Sequence, residues 1–273
     1  MISLRSLAAL GAAVALASCG DKNAIQNITA PAAGSAVKFF NFGVNAPAVN
    51  FYADNSKISA TVSTSCSDPV TGASTDQTCL STGKEATTGT GYGANASTAG
   101  LYYSLAPGSH TLSGRITATT DNGVAISNTP ATLENGKFYS YYLSGIYNTT
   151  TKTVEGFVVE DPLPDFDFSK AYVRFVNAIS NSQSMTLYAQ LQKGAETAIG
   201  ATVAYKAAGS FVALAPGIYD LSTRVAGSST NVIANTGVSF AAGHVYTVSS
   251  RGDITVTSTT AATRPILDVT SNR

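Results

Sequence analysis

Two copies of one pattern run through this chain, and they constrain its fold more than any other feature. Val37-Lys38-Phe39-Phe40-Asn41 recurs as Val173-Arg174-Phe175-Val176-Asn177, and Phe51-Tyr52-Ala53 as Leu187-Tyr188-Ala189, both at an offset of 136. Leu105-Ala106-Pro107-Gly108 returns as Leu214-Ala215-Pro216-Gly217 at an offset of 109. Gly136-Lys137-Phe138-Tyr139-Ser140 returns as Gly243-His244-Val245-Tyr246-Thr247 at 107. Order is preserved while the offset drops mainly once, which is the mark of a duplicated module. The first copy therefore holds about 27 additional residues between Ala53 and Leu105.

Within each copy the apolar residues alternate. His110, Leu112, Gly114 and Ile116 share one face, with Thr111, Ser113, Arg115 and Thr117 on the other; Tyr219, Leu221, Thr223 and Val225 repeat the pattern against Asp220, Ser222, Arg224 and Ala226. A period of two means half-buried strands, and Arg115 and Arg224 are expected on the solvated side. Turn signals such as Asp121-Asn122-Gly123 and Glu134-Asn135-Gly136 separate short β-rich runs. No apolar stripe of helical period is sustained beyond the N-terminal segment. The expected fold is all-β: two tandem immunoglobulin-like antiparallel β-sandwiches, over 36–161 and 171–273, each long enough to bury its own core. Between them, 162–170 belongs to a Pro- and acid-rich stretch, Glu160 to Phe168, that reads as a short, stiff, solvated linker.

The N-terminus carries an address. Arg5 precedes about ten apolar residues, Leu7 to Leu16, too few to span a bilayer but suited to a signal peptide. Leu16-Ala17-Ser18-Cys19 then resembles the lipobox of bacterial lipoproteins. That resemblance implies removal of 1–18, acylation of Cys19, and a lipid-anchored tether over 19–35. Gly20, not an acid, follows Cys19, which by the same resemblance favours the outer membrane of a diderm host. Net charge is zero and only 12% of residues are charged. No basic stripe is available to neutralise phosphates, so no nucleic-acid partner is expected. Attachment would rest on the acyl chains, at about 0.8 kcal/mol per buried methylene. Cys66 and Cys79 remain as a pair inside the first-copy insertion. In an exported chain a disulfide is favoured over a two-thiol zinc site, which would have no histidine nearby.

The repeated residues also resemble a known family. Asn45-Ala46-Pro47-Ala48-Val49-Asn50-Phe51-Tyr52, Leu105-Ala106-Pro107-Gly108 and Gly136-Lys137-Phe138-Tyr139 are similar to the bacterial domain of unknown function 4397 family. The resemblance implies export, frequent lipid anchoring and tandem sandwiches, and supplies no activity. In the second copy, Ser182-Gln183-Ser184-Met185 departs from Ala46-Pro47-Ala48-Val49.

Little in the sequence carries catalytic chemistry. There is no Gly-x-Ser-x-Gly elbow, His-Glu-x-x-His pair or phosphate loop. His110 aligns with Tyr219 and reads as a substituted core position; His244 aligns with Lys137 after a turn glycine and is expected to be exposed. Asp165 and Asp167 are too few for a calcium site, and Arg251-Gly252-Asp253 reads as a hairpin turn. No catalytic residue, metal or cofactor is expected. Tyr139 and Tyr246 match each other and read as core, each hydroxyl finding a backbone partner. Tyr102, Tyr103 and Tyr142 match Phe211, Val212 and Ser249, so the shared fold does not require all of them. They are the candidate ligand-contact residues on an outer surface. The functional reading is a non-enzymatic cell-envelope lipoprotein that binds or scaffolds. Its expected partners are the membrane, through its lipid, and an envelope protein or a glycan; the alternative is a carbohydrate-binding module using the first-copy tyrosines.

Overall fold

Residues 34–59, 89–96, 101–192 and 194–273 are described by a computed structural model. Its first half holds β1 (Ser35–Asn41), β2 (Val49–Ala53), β3 (Ser56–Lys57), β4 (Ala94–Asn95), β5 (Tyr103–Leu105), β6 (Gly108–Ile116), β7 (Thr129–Leu133), β8 (Phe138–Asn148) and β9 (Thr153–Glu160). The second half repeats them in order: β10 (Ala171–Asn177), β11 (Met185–Leu191), β12 (Glu196–Val203), β13 (Ala207–Ala208), β14 (Val212–Leu214), β15 (Gly217–Val225), β16 (Ile233–Phe240), β17 (Val245–Arg251) and β18 (Ile266–Ser271). Each module is a sandwich of two sheets. In the first, β1 and β8 are the inner strands of a sheet edged by β4, β5 and β9, and the facing sheet runs β3-β2-β6-β7. The second module has the same order, with β10 and β17 at the centre of one sheet and β12-β11-β15-β16 as the other.

The duplicated motifs are the ones that pair. Val37 lies opposite Tyr139 between β1 and β8, as Val173 lies opposite Tyr246 between β10 and β17. Both of these pairings are parallel, whereas the other ladders are antiparallel. Alternation reports which face of a strand is apolar and is blind to the direction of its neighbour, so this pair was not legible in the sequence. Tyr139 and Tyr246 close each module alike: their hydroxyls accept from Glu134 N at 3.0 Å and Ala241 N at 3.1 Å. Arg115 and Arg224 lie over Tyr52 and Tyr188, at 4.1 and 4.5 Å from the ring centroids. They cover these rings, and their guanidiniums are engaged locally, Arg115 by Asn55 Oδ1 and Arg224 by Glu196.

Each module has its own core, built around Phe39, Phe51, Leu112 and Tyr141 in the first and Phe175, Leu187, Leu221 and Val248 in the second. A third cluster lies between them. Phe40, Phe42, Tyr142, Phe157 and Val159 of the first module pack against Val176 and Ala178 of the second. The outer faces of the β1–β8 and β10–β17 sheets are therefore buried against each other, and β1 is covered on both sides. Residues Gly34–Arg273 consequently form one unit.

Close packing within the first module leaves no room for a side chain at Gly156. A Cβ on Gly156 in β9 would sit 2.2 Å from Thr129 Oγ1, 2.6 Å from Ser127 Oγ and 2.9 Å from the Tyr141 hydroxyl. Those three groups hydrogen-bond one another in the space the glycine leaves. Gly156→Ala should therefore lower unfolding stability by about 1–3 kcal/mol in chemical denaturation.

Candidate functional site

A buried set of ionisable side chains lies in the seam between the modules. Lys38 in β1 and Arg174 in β10 occupy the same repeat position, on the face turned away from each module's own core. An unpaired buried charge is prohibitively costly, so each cation must find acceptors in the seam. Arg174 is fully buried and pairs through Nη2 with Oδ1 of Asp161, which is itself buried. It also donates from Nη1 to the Glu160 carbonyl at 2.8 Å and from Nε to Thr247 Oγ1 at 3.0 Å. The other Asp161 oxygen accepts from Ser140 Oγ at 2.8 Å and from the Tyr102 hydroxyl at 2.7 Å. Lys38 donates to the Ser271 carbonyl and lies 4.4 Å from the centroid of the Tyr102 ring.

These contacts are reciprocal. Glu160 pairs with Tyr139 and Ser271 with Tyr246, so the two carbonyls are equivalent in the repeat. Each module's cation thus reaches the same carbonyl of the other module. The rings follow suit, with Lys38 over Tyr102 and Arg174 at 4.7 Å from the Phe211 centroid. The charge symmetry is broken on the anionic side: the position equivalent to Asp161 is Asn272. Its Nδ2 donates to the Tyr102 hydroxyl at 2.7 Å and its Oδ1 accepts from Thr247 Oγ1 at 2.8 Å. Two buried cations consequently share one carboxylate. Burial pulls the Lys38 ammonium down to about 8, with Asp161 opposing and Arg174 reinforcing the shift.

The aromatic residues expected on an outer surface are drawn inward. Tyr142 is fully buried, its ring stacked between Phe40 at 4.6 Å and Phe157 at 5.0 Å, and its hydroxyl lies 3.1 Å from Ser249 Oγ. Burial pushes that phenol up to about 12. No face is left for a sugar ring, which overturns the ligand-contact reading of Tyr142. Tyr102 is spent on Asp161, Asn272 and Lys38, and its phenol is pushed up by burial and by the Asp161 charge. Tyr103 is half-buried, donating to the Ala96 carbonyl at 2.8 Å and meeting Phe39 edge-on at 5.8 Å. Asp161, read as part of a solvated linker, is likewise corrected: it is the anion of the seam. The reason is common to Tyr142 and Asp161, because the second sheet face is covered by the other module. Cys19, Cys66 and Cys79 lie outside the described residues.

The seam residues Lys38, Arg174 and Asn272 were not singled out from sequence. The available signal was a basic side chain inside an apolar strand, at the same place in both copies.

His110 repeats the bond of its counterpart. Its Nε2 lies 2.8 Å from the Ala106 carbonyl, just as the Tyr219 hydroxyl donates to the Ala215 carbonyl at 2.7 Å. Nδ1 lies 2.9 Å from Asp54 Oδ2. Both ring nitrogens face acceptors, so the imidazolium fits best, and the hydrogen bond to Asp54 holds His110 above its usual value. This is a turn clamp. His244 is exposed. Arg251 pairs with Asp268 and lies 4.9 Å from the Tyr92 ring centroid, so it fastens the second module to the first.

A depression of about 480 Å³ opens beside the charged network, where the chain crosses between modules. Phe138, Pro162, Leu163 and Phe166 give it an apolar wall. Its charged lining is already engaged: Lys137 pairs with Glu134 at 3.0 Å and Glu160 at 3.3 Å, and the Arg273 guanidinium lies 3.6 Å from the Phe166 centroid. Such a surface can hold an apolar group against paired charges; it does not present a nucleophile beside a base.

The burial of Lys38 in the seam gives a pH dependence. Lys38 titrates near 8 in the folded chain against an ordinary 10.5. Between those values the unfolded chain holds a proton that the folded chain has released, so stability rises with pH across that window. Lys38→Met should abolish this rise and stabilise the protein by about 1–4 kcal/mol at pH 7. Urea unfolding from pH 7 to 10.5 measures both, and an unchanged slope in the variant would contradict the assignment.

Comparison with other proteins adds a family and little more. No curated protein matches the sequence. Among solved structures, the Bacillus anthracis TIE protein is similar at 9% identity and a TM-score of 0.22, over 81% of this chain and 34% of that one. The chain therefore spans about a third of that protein's length. A family model described as Domain of unknown function (DUF4397) matches residues 35–188 and again 171–272. Together these matches span nearly the whole duplicated body, and the chain belongs to that family as a tandem-copy member.

Proposed function

We propose that this chain is a lipoprotein of the cell envelope, acylated at Cys19, and that it works by binding or scaffolding and not by catalysis. The observation that carries the non-catalytic reading is how Lys38, Asp161 and Arg174 are used. Catalytic groups need a reactive atom left open to substrate. Here the buried charges are closed on one another, on Tyr102 and on backbone carbonyls across the seam. His110 is likewise committed to Asp54 and Ala106. What this arrangement provides is a fixed spacing between two sandwiches, which suits display of surfaces and loops. The insertion of the first copy is the element to which we assign specificity; its residues 60–88 lie outside the described residues.

The envelope reading draws on the Leu16-Ala17-Ser18-Cys19 run behind Arg5 and its apolar stretch, and the outer membrane on Gly20. Glycan binding through the first-copy tyrosines loses support from the burial of Tyr142, so an envelope protein is the partner class we retain. Metabolic labelling with an alkyne-bearing palmitate in a bacterial host tests the anchor. The wild-type chain should take up the label in the membrane fraction, and Cys19→Ser should lose it. Retention of label by that variant, or an unlabelled wild type carrying its first 18 residues, would refute the assignment.

A further inference from the structure

The apolar side chains left on the surface are not spread evenly. Phe166 and Phe168, 62% and 79% exposed, stack on each other at 5.9 Å in the segment between the modules. Leu191 and Ile218 are exposed at the same end of the second module, where Gln192 N donates to the Ile218 carbonyl.

That end is also where the described chain starts. The Gly34 carbonyl accepts from Gly136 N at 2.7 Å, and Gly34 N donates to Asn135 Oδ1 at 2.8 Å. Gly136 and Lys137 line the same depression as Phe166. The second module enters identically, with Gly243 N donating to the Lys170 carbonyl at 2.7 Å and Phe168 lying against Gly243. The reciprocal bonds of Lys38 and Arg174 hold the two modules side by side in the same sense, so both entrances lie at one end.

We propose that Phe166 and Phe168 are a bilayer-interface contact, so that the body rests on the membrane by its entry end. The inference depends on acylation of Cys19. About fifteen residues separate Cys19 from Gly34. Whatever their conformation, they reach no more than about 50 Å, which keeps the entry end close to the lipid. A tethered surface needs little intrinsic affinity, because attachment raises its effective concentration at the bilayer. The local charges are mixed, with Asp165 exposed beside the ring pair. Arg273 lies over Phe166, and Asp167 is turned back to accept from Ser169 N at 2.8 Å and Ser169 Oγ at 2.6 Å. Paired aromatics beside a cation and a retracted carboxylate match the level where apolar rings and polar headgroups coexist.

The chain contains no tryptophan, so a single one reports its own position. Acylated Phe168→Trp and Ile146→Trp, each beginning at Cys19, would be reconstituted into phosphatidylcholine vesicles with and without acyl-chain bromine. Ile146 is 52% exposed near the far end of β8 and serves as the control. The contact requires a blue-shifted Phe168→Trp emission that bromine roughly halves, with the Ile146→Trp emission unaffected, since an interfacial ring sits about 5–10 Å into the headgroup–acyl boundary. Equal quenching of both, or of neither, in protein that floats with the vesicles would overturn the contact and leave the anchor standing. Acylation-competent protein that fails to float would remove the anchor and the contact together.

Discussion

Where the Arg174 guanidinium meets the Asp161 carboxylate, both side chains are shut off from water, and the arrangement of the two sandwiches follows from that. A cation in the middle of an apolar strand cannot stay charged without partners, and a module folded alone would leave Arg174 on its outer face. Docking gives it a carboxylate and a carbonyl, beside the Thr247 hydroxyl of its own module. Such a pair adds little net stability over well-packed apolar residues, but loss of one partner strands the other and costs about 3–5 kcal/mol. It therefore acts chiefly as a register lock: Phe40, Phe42, Tyr142 and Phe157 supply the apolar adhesion, and the charges fix which apolar residues meet.

Duplication explains the form of the lock. Face-to-face contact between like surfaces is self-complementary, and the exchange of Lys38 to the Ser271 carbonyl and Arg174 to the Glu160 carbonyl has that reciprocity. Fusion in one chain lets the halves diverge. Asp161 faces its counterpart Asn272 across Tyr102, while Tyr142 reaches its counterpart Ser249. Each departure from symmetry complements another across the seam. A tyrosine hydroxyl meets a serine, and one carboxylate serves two cations, at the expense of the Lys38 charge.

The repeat, the all-β class and the strand alternation were legible because they are local. Tyr139 and Tyr246 could be placed in the core with bonded hydroxyls, and His110 equated with Tyr219, because aligned positions in the two copies share one environment. The seam was not legible by the same means. Alternation assigns Tyr142 to the outer face of β8 correctly but cannot say that a second sheet covers it. Asp161 sits beside Pro162 in an acidic stretch that reads as solvated, and only the neighbouring module makes it an interior anion. The parallel pairing of β1 with β8 is hidden for a related reason, since strand direction leaves no mark on side-chain periodicity. A basic residue recurring within an apolar strand was the one local trace of the docking.

Hydrogen exchange of core amides in the full chain, compared between wild type and Asp161→Asn, tests the register lock most directly. Leu112 and Leu221 sit in separate cores, yet in the wild type their amides should exchange through the same global opening. Asp161→Asn should lower that shared opening free energy by about 3–5 kcal/mol in both modules. Independent exchange of the two cores in the wild type, or a loss below about 1 kcal/mol in the variant, would contradict the claim that the buried pair binds the halves into one structure.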